Sequence, residues 1–244
     1  MVWYMFSNYF EQLEKNLLKK AREAQKKAPE NAHNLTGIES LGLSSEEIKN
    51  DLECLLPRSL TLDAVKLIDS SGFMPDGVDF LIFREQYRNF SEMMGGQVPS
   101  EMAYGTIHLA RNINSENIAD MLKRIIQTKK IDHFTEQAEE KMPIPAFIIG
   151  FGSEFEFPKL KEEILDYYLT RNIDHAFEFD IMAILNMGVI IKDWRAKRSF
   201  IAIETGKETL KWLFILMNEY VDVERGGDLD LRKYVKHSEK YKEY

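Results

Sequence analysis

With 244 residues, 44% of them hydrophobic and 30% charged, the chain has a globular make-up, far from the composition of disordered segments. Its formal net charge of -8 opposes non-specific attraction to phosphate, so any face that grips nucleic acid has to be local. No apolar run approaches the roughly 20 residues that span a bilayer, which excludes a membrane partner.

The start, MVWYMFSNYF, places aromatics where a signal peptide has basic residues, and no small-residue cleavage site follows. The single cysteine, Cys54, cannot close an internal disulfide, and the expected compartment is the reducing cytoplasm. Residues 4–28 repeat Phe6, Phe10, Leu13 and Leu17 at helical spacing, with Lys and Glu opposite. This predicts an amphipathic helix packed on the body or on a second copy of the chain. Pro29 and ENAHNLTG end it.

SSEEIKNDLECLL opens with Ser44 or Ser45 as a cap and acidic residues in the first turn, and Pro57 closes that helix. Cys54, beside Leu55 and Leu56, reads as a small core side chain. SLTLDAVKLIDSSG and GVDFLIF are strands separated by turn residues, in the manner of a hairpin. After the breakers Gly95, Gly96 and Pro99, EMAYGTIHLA is a third strand, and NINSENIADMLKRIIQTKKI follows as a capped helix. PIPAFIIGFGS is apolar throughout, as a strand buried on both faces must be. A helix over FPKLKEEILDYYLTRN follows, then a strand and a turn at Asn186-Met187-Gly188, the strand RSFIAIETG and the apolar helix KETLKWLFILMNEYVDVE. The polar tail reads as surface. The order α, hairpin, β-α-β-α, β-β-α predicts an α/β fold: a mixed central sheet flanked by helices, with an N-terminal helical arm.

One constellation carries chemistry. Asp79 lies inside the apolar run VDFLIF, where a carboxylate is costly to bury unless it is hydrogen-bonded, paired or bound to a cation. Period-2 geometry on the next strand puts Tyr104, Thr106, His108 and Ala110 on one face. Glu46 and Glu47 add acidic side chains from the preceding helix. Hydrolysis of a phosphodiester with Mg2+ or Mn2+ needs several hard oxygen ligands and a cation or base.

The runs LLPRSLTLDAVKLIDSSGFMPDGVDFLIF and VPSEMAYGTIHLARNI resemble a bacterial family of the PD-(D/E)xK, restriction-endonuclease-like superfamily, and the likeness continues through KDWRAKRSF and IETGKETLKWLFILMNEY. The resemblance implies a metal-binding Asp at Asp79, and Glu and Lys positions that are filled here by His108 and Ala110. Glu46 or Glu47 takes the acidic-helix position, so the implied metal ligands are Asp79, His108, Glu46 and Glu47. The motif is thus degenerate. His108 is a poor Mg2+ ligand and Ala110 has no ammonium. A displaced basic residue, Lys66 or Arg111, is the rescue that the superfamily allows. With no internal repeat or long linker, the expected division is a single domain over 1–244, made of an N-terminal arm over 1–32, a nuclease-like core over 33–225 and a surface tail over 226–244.

Elsewhere, KDWRAKR combines Lys192, Arg195, Lys197 and Arg198 with Trp194, a basic and aromatic run able to contact nucleic acid or to form a solvated turn. Glu101 reads as a solvated loop residue. The remaining histidines show no zinc spacing, and no nucleotide loop is present. The leading expectation is a catalytically compromised nuclease-like protein that binds nucleic acid or protein, including its own copy as a homo-oligomer. The alternatives are a metal-dependent nuclease with a rearranged site around Asp79, His108 and Lys66, and a structural or regulatory protein.

Overall fold

The computed structural model describes residues 2–26, 37–132, 143–193, 195, 199–221 and 242–243. In chain order the elements begin with α1 (Val2–Gln25), α2 (Ile38–Leu41), α3 (Ser45–Leu52), β1 (Leu60–Asp63), β2 (Lys66–Ile68), β3 (Phe80–Arg84), α4 (Arg88–Met93), β4 (Gln97–Pro99) and β5 (Ala103–Ala110). They continue with α5 (Ile118–Lys129), β6 (Ala146–Gly150), α6 (Phe157–Thr170), β7 (Ile181–Ile184), β8 (Gly188–Lys192), β9 (Phe200–Glu204), α7 (Thr209–Val221) and β10 (Lys242–Glu243).

Among the described residues, eight strands form one mixed sheet in the order β1-β3-β5-β6-β7-β8-β9-β10. The two parallel pairs, β5 with β6 and β6 with β7, are joined through α5 and α6. The other neighbours in the sheet are antiparallel. Lying between two parallel neighbours, β6 has all five residues buried, as its unbroken apolar sequence requires.

Successive strand residues feed two cores. Phe80, Ile107, Leu109 and Phe147 pack with Leu17, Ile48, Leu52 and Leu213, from α1, α3 and α7. Ala110, Ile148, Met182 and Ile190 face the opposite way, against Leu122 and Ile125 of α5 and Leu160 and Ile164 of α6.

The apolar stripe of α1 is spent on this body. Phe10 and Leu17 are buried, and Phe6 and Leu13, partly buried, pack beside them, so these residues face this body. Burial of each such large side chain contributes roughly 1.5–3 kcal/mol. Glu14 reinforces the contact from the same helix. Its carboxylate accepts the Asn186 amide in the β7–β8 turn and the Leu210 amide in the first turn of α7, the latter at 2.8 Å. An anion at a helix N-terminus is favourable, and these two donors offset the cost of burying it. Burial nevertheless pushes Glu14 up to about 7.

Three expectations change. SLTLDAVKLIDSSG is not one strand: Asp63 turns the chain by accepting the Ala64 amide (3.1 Å) and pairs with Lys49. Leu60–Asp63 therefore stays on the edge of the main sheet, while Lys66–Ile68 joins β4 in a separate two-stranded parallel sheet. HAFEFDIMAILNMGVIIKD holds two strands, with Asn186 at φ 61 in the tight turn between them, a conformation that asparagine tolerates better than most residues. Most of the C-terminal tail lies outside the described residues, but Lys242–Glu243 pair with Glu204 and Ile203 on β9.

Cys54 is also not a core residue. The 3-10 turn over Glu53–Leu55 directs it outward, where its thiol donates to the Asp51 carbonyl, and sends Leu55 and Leu56 inward.

Candidate functional site

The site is built where β3 leaves β5. Phe80 pairs with Ile107, and the Asp79 amide donates to the Ile107 carbonyl at 3.1 Å. One step further along β5, the Leu109 amide and carbonyl have no strand residue opposite them. Two substitutes complete the ladder: the Gly37 amide donates to the Leu109 carbonyl at 2.8 Å, and the Leu109 amide donates to Asp79 Oδ2 at 2.7 Å. Asp79 Oδ1 accepts the Ile38 amide at 2.6 Å, one of the orphan donors of α2. Both carboxylate oxygens of Asp79 are thus engaged by backbone.

Gly37 is required at this junction. It has φ +84, and a Cβ there would lie 2.8 Å from Asp79 Oδ1. Burial pushes Asp79 up to about 6, against the pull of its two amide bonds and the Arg124 guanidinium.

His108 is buried beside it, with Nδ1 2.7 Å from the Gly77 carbonyl and Nε2 3.2 Å from Thr106 Oγ1. A carbonyl only accepts, so Nδ1 carries the proton and Nε2 is the acceptor. Burial pushes His108 down to about 4, which leaves it neutral at pH 7. Ala110 is buried in the apolar cluster with Ile113, Ile118 and Ile148. Thr106, His108 and Ala110 therefore share a face as the strand period requires, while Tyr104 packs on the opposite cluster where the β3–β5 register shifts, and the shared face holds a locked imidazole and a methyl group.

The cation near Asp79 is Arg124, from α5. Its side chain crosses Gly77, where a Cβ would meet Arg124 Cδ at 2.6 Å, and its field acts on both Asp79 and His108. Asp120 accepts from Arg124 Nε at 3.0 Å. Sequence reasoning misses Arg124 because its local pattern, an i,i+4 pair with Asp120, is that of an ordinary exposed helix face. It also misses Gly37 and Ile38; the glycine between a helix end and IES is the one signal for them.

The other expected residues are placed elsewhere. Glu46 and Glu47 are exposed in the first turn of α3, where Glu47 closes a capping box with Ser44. Lys66 is exposed at the start of β2, outside the main sheet. Arg111 follows the last residue of β5 and is half-buried. Glu101 is exposed, as a solvated loop residue should be. Lys192 is not a surface cation: it is buried, its ammonium donates to the His175 carbonyl, and burial pushes it down to about 8. Arg195 is exposed and bonds Asp193. Trp194, Lys197 and Arg198 lie outside the described residues.

A divalent cation such as Mg2+ or Mn2+ needs several oxygen ligands with open lone pairs. Both oxygens of Asp79 accept backbone amides, Glu39 of α2 is a second carboxylate whose charge reaches Asp79, and both nitrogens of His108 are engaged. Among the described residues no group of three or more His, Cys, Asp or Glu side chains is placed to hold a metal ion. The donor set does not fit a divalent metal.

No family model and no curated protein sequence matches the chain. Solved structures do. NucC of P. aeruginosa ATCC27853 in its cAAA-bound form is similar with a TM-score of 0.67 at 14% identity, over 94% of this chain and 96% of that one. NucC of E. coli MS115-1 is similar in its cAAA-bound form (TM-score 0.67, 17% identity, 94% and 96% covered) and in its apo form (0.61, 18%, 92% and 97%). Among the described residues no helix is long and apolar enough to cross a membrane. At these identities what the chain shares with NucC is the fold, a mixed α/β sheet flanked by helices of restriction-endonuclease-like type.

Proposed function

We propose that this chain is a nuclease-fold protein that acts by binding nucleic acid and not by metal-dependent cleavage. The observation that carries the reading is the state of Asp79, whose two oxygens serve the Ile38 and Leu109 amides. A metal-dependent phosphodiesterase uses such a carboxylate to gather a cation that polarises phosphate and generates hydroxide. Here the carboxylate completes a strand ladder, its neighbour His108 is neutral and held on both nitrogens, and Ala110 offers no proton. Arg124 brings positive charge to Asp79. The NucC structures of similar fold that are cAAA-bound forms favour a nucleotide-type ligand for this chain too.

A second reading, a metal-dependent nuclease with a rearranged site, is favoured by the field of Arg124 on Asp79. It requires Gly37 and Ile38 to withdraw and free the carboxylate.

Incubation of duplex DNA, single-stranded DNA and single-stranded RNA with millimolar Mg2+ or Mn2+ separates the two. The expected result is no cleavage above that of Asp79→Asn, together with retention of the nucleic acid in a filter-binding assay without metal. Mn2+-dependent cleavage that disappears in Asp79→Asn establishes the second reading instead, and absence of retention sinks the nucleic-acid-binding one.

A further inference from the structure

The exposed side of α1 carries a charge pattern that the packing of the helix does not use. Lys15, Lys19, Arg22 and Lys26 recur at intervals of four, three and four residues, which places them on one face, and all four are exposed. They line a groove of about 700 Å3 that crosses to Asn186 and Lys207. Among the described residues five cations and three carboxylates line it, a local reversal of the chain's net charge of -8.

The three carboxylates are already engaged. Glu14 is buried under two amides, Glu11 pairs with Lys207 at 2.9 Å, and Glu23 faces Lys19 at 3.8 Å. No carboxylate of the described residues lies within ion-pair distance of Lys15, Arg22 or Lys26. The groove therefore carries net positive charge, supplied by Lys15, Arg22 and Lys26.

We infer that this groove along α1 is a binding site for the phosphate backbone of a single nucleic-acid strand. The inference rests on the nucleic-acid-binding reading above and places the contact away from the Asp79 junction. From Lys15 to Lys26 the ridge spans about 16 Å at 1.5 Å rise per residue. That length matches about five nucleotides at 3.4 Å per step along one strand. The volume lies in the range of small-ligand clefts, roughly 300–1,000 Å3, and has room for one strand. Among the described residues no aromatic side chain lines the groove, so recognition is electrostatic and independent of sequence.

The test is fluorescence anisotropy of the full chain with fluorescein-labelled dT20 between 50 and 200 mM salt. Binding is expected to weaken with a log–log slope of about -3, which corresponds to about four phosphates neutralised on a single strand. Lys15→Glu/Arg22→Glu/Lys26→Glu is expected to bind more than 10-fold more weakly with an unchanged melting curve, because all three side chains are exposed. Arg58→Glu/Lys159→Glu/Arg171→Glu, an equal charge change at exposed positions elsewhere, is expected to keep most of the affinity. Equal affinities of the two triple variants overturn the groove assignment while leaving nucleic-acid binding in place. Absence of binding by the unaltered chain overturns both.

Discussion

Asp79→Ala destabilises the chain by about 2–4 kcal/mol, and Asp79→Asn does nearly the same. The alanine variant leaves the Ile38 and Leu109 amides without their acceptor, and each unsatisfied buried donor costs roughly 1–3 kcal/mol. Asparagine can accept one of these amides through its oxygen but turns an N–H donor toward the other. The sign of the effect is diagnostic. Active-site carboxylates are held at some expense to stability, and their removal is commonly neutral or stabilising. At Asp79 the loss is structural, because the side chain joins α2, the start of β3 and the end of β5. Urea unfolding followed by circular dichroism reads it as a fall in midpoint with an unchanged slope. An equal or raised midpoint contradicts the assignment.

Lys129→Met has a larger expected effect, about 3–5 kcal/mol, which is the range for breaking a buried ion pair by removing one partner. The Lys129 ammonium donates to Asp180 Oδ2, and both side chains are only 1% exposed. Asp180 Oδ2 also accepts the Ala146 amide at 2.8 Å, so this carboxylate ties the beginnings of β6 and β7 to the last turn of α5. Methionine fills the volume of the lysine stem but removes the ammonium that hydrogen-bonds Asp180, leaving it the field of Lys192 alone among the cations shown to act on it. Lys129→Met/Asp180→Asn removes both charges and keeps an oxygen for Ala146, so it recovers most of the loss. A double variant no more stable than the single one refutes the charge argument and points to packing. Because α5 also carries Arg124, loss of this anchor is felt at the Asp79 junction as well.

The features of the site that were legible in the sequence are the local ones. Two-residue periodicity puts Thr106, His108 and Ala110 on one face, as the structure has them, but the irregularity in the β3–β5 pairing sends Tyr104 to the opposite cluster, and Asp79, expected inside the strand, lies one residue before it. The resemblance implied a restriction-endonuclease-like fold, and the architecture agrees. What escaped depends on contacts far apart in the chain. The Ile38 amide reaches Asp79 across 41 positions, and nothing near Asp79 announces it. Lys192 sits in a basic run, yet its strand turns it inward to the His175 carbonyl, and a run of letters cannot tell a buried ammonium from an exposed one. Lys66 seemed to continue the strand before Asp79, but the turn at Asp63 moves it to a second sheet. The ridge on α1 was visible only as the polar side of an amphipathic helix, since the groove that gives it meaning needs Asn186 and Lys207 from distant elements.

The central claim, that Asp79 serves the fold and not a metal, is tested most directly by titrating the protein with Mn2+ and following the free aquo-ion by electron paramagnetic resonance. The account predicts that the free signal rises in proportion to added Mn2+ from the first addition, alike for the unaltered chain and for Asp79→Asn. Stoichiometric loss of the signal with the unaltered chain, abolished in Asp79→Asn, would contradict it.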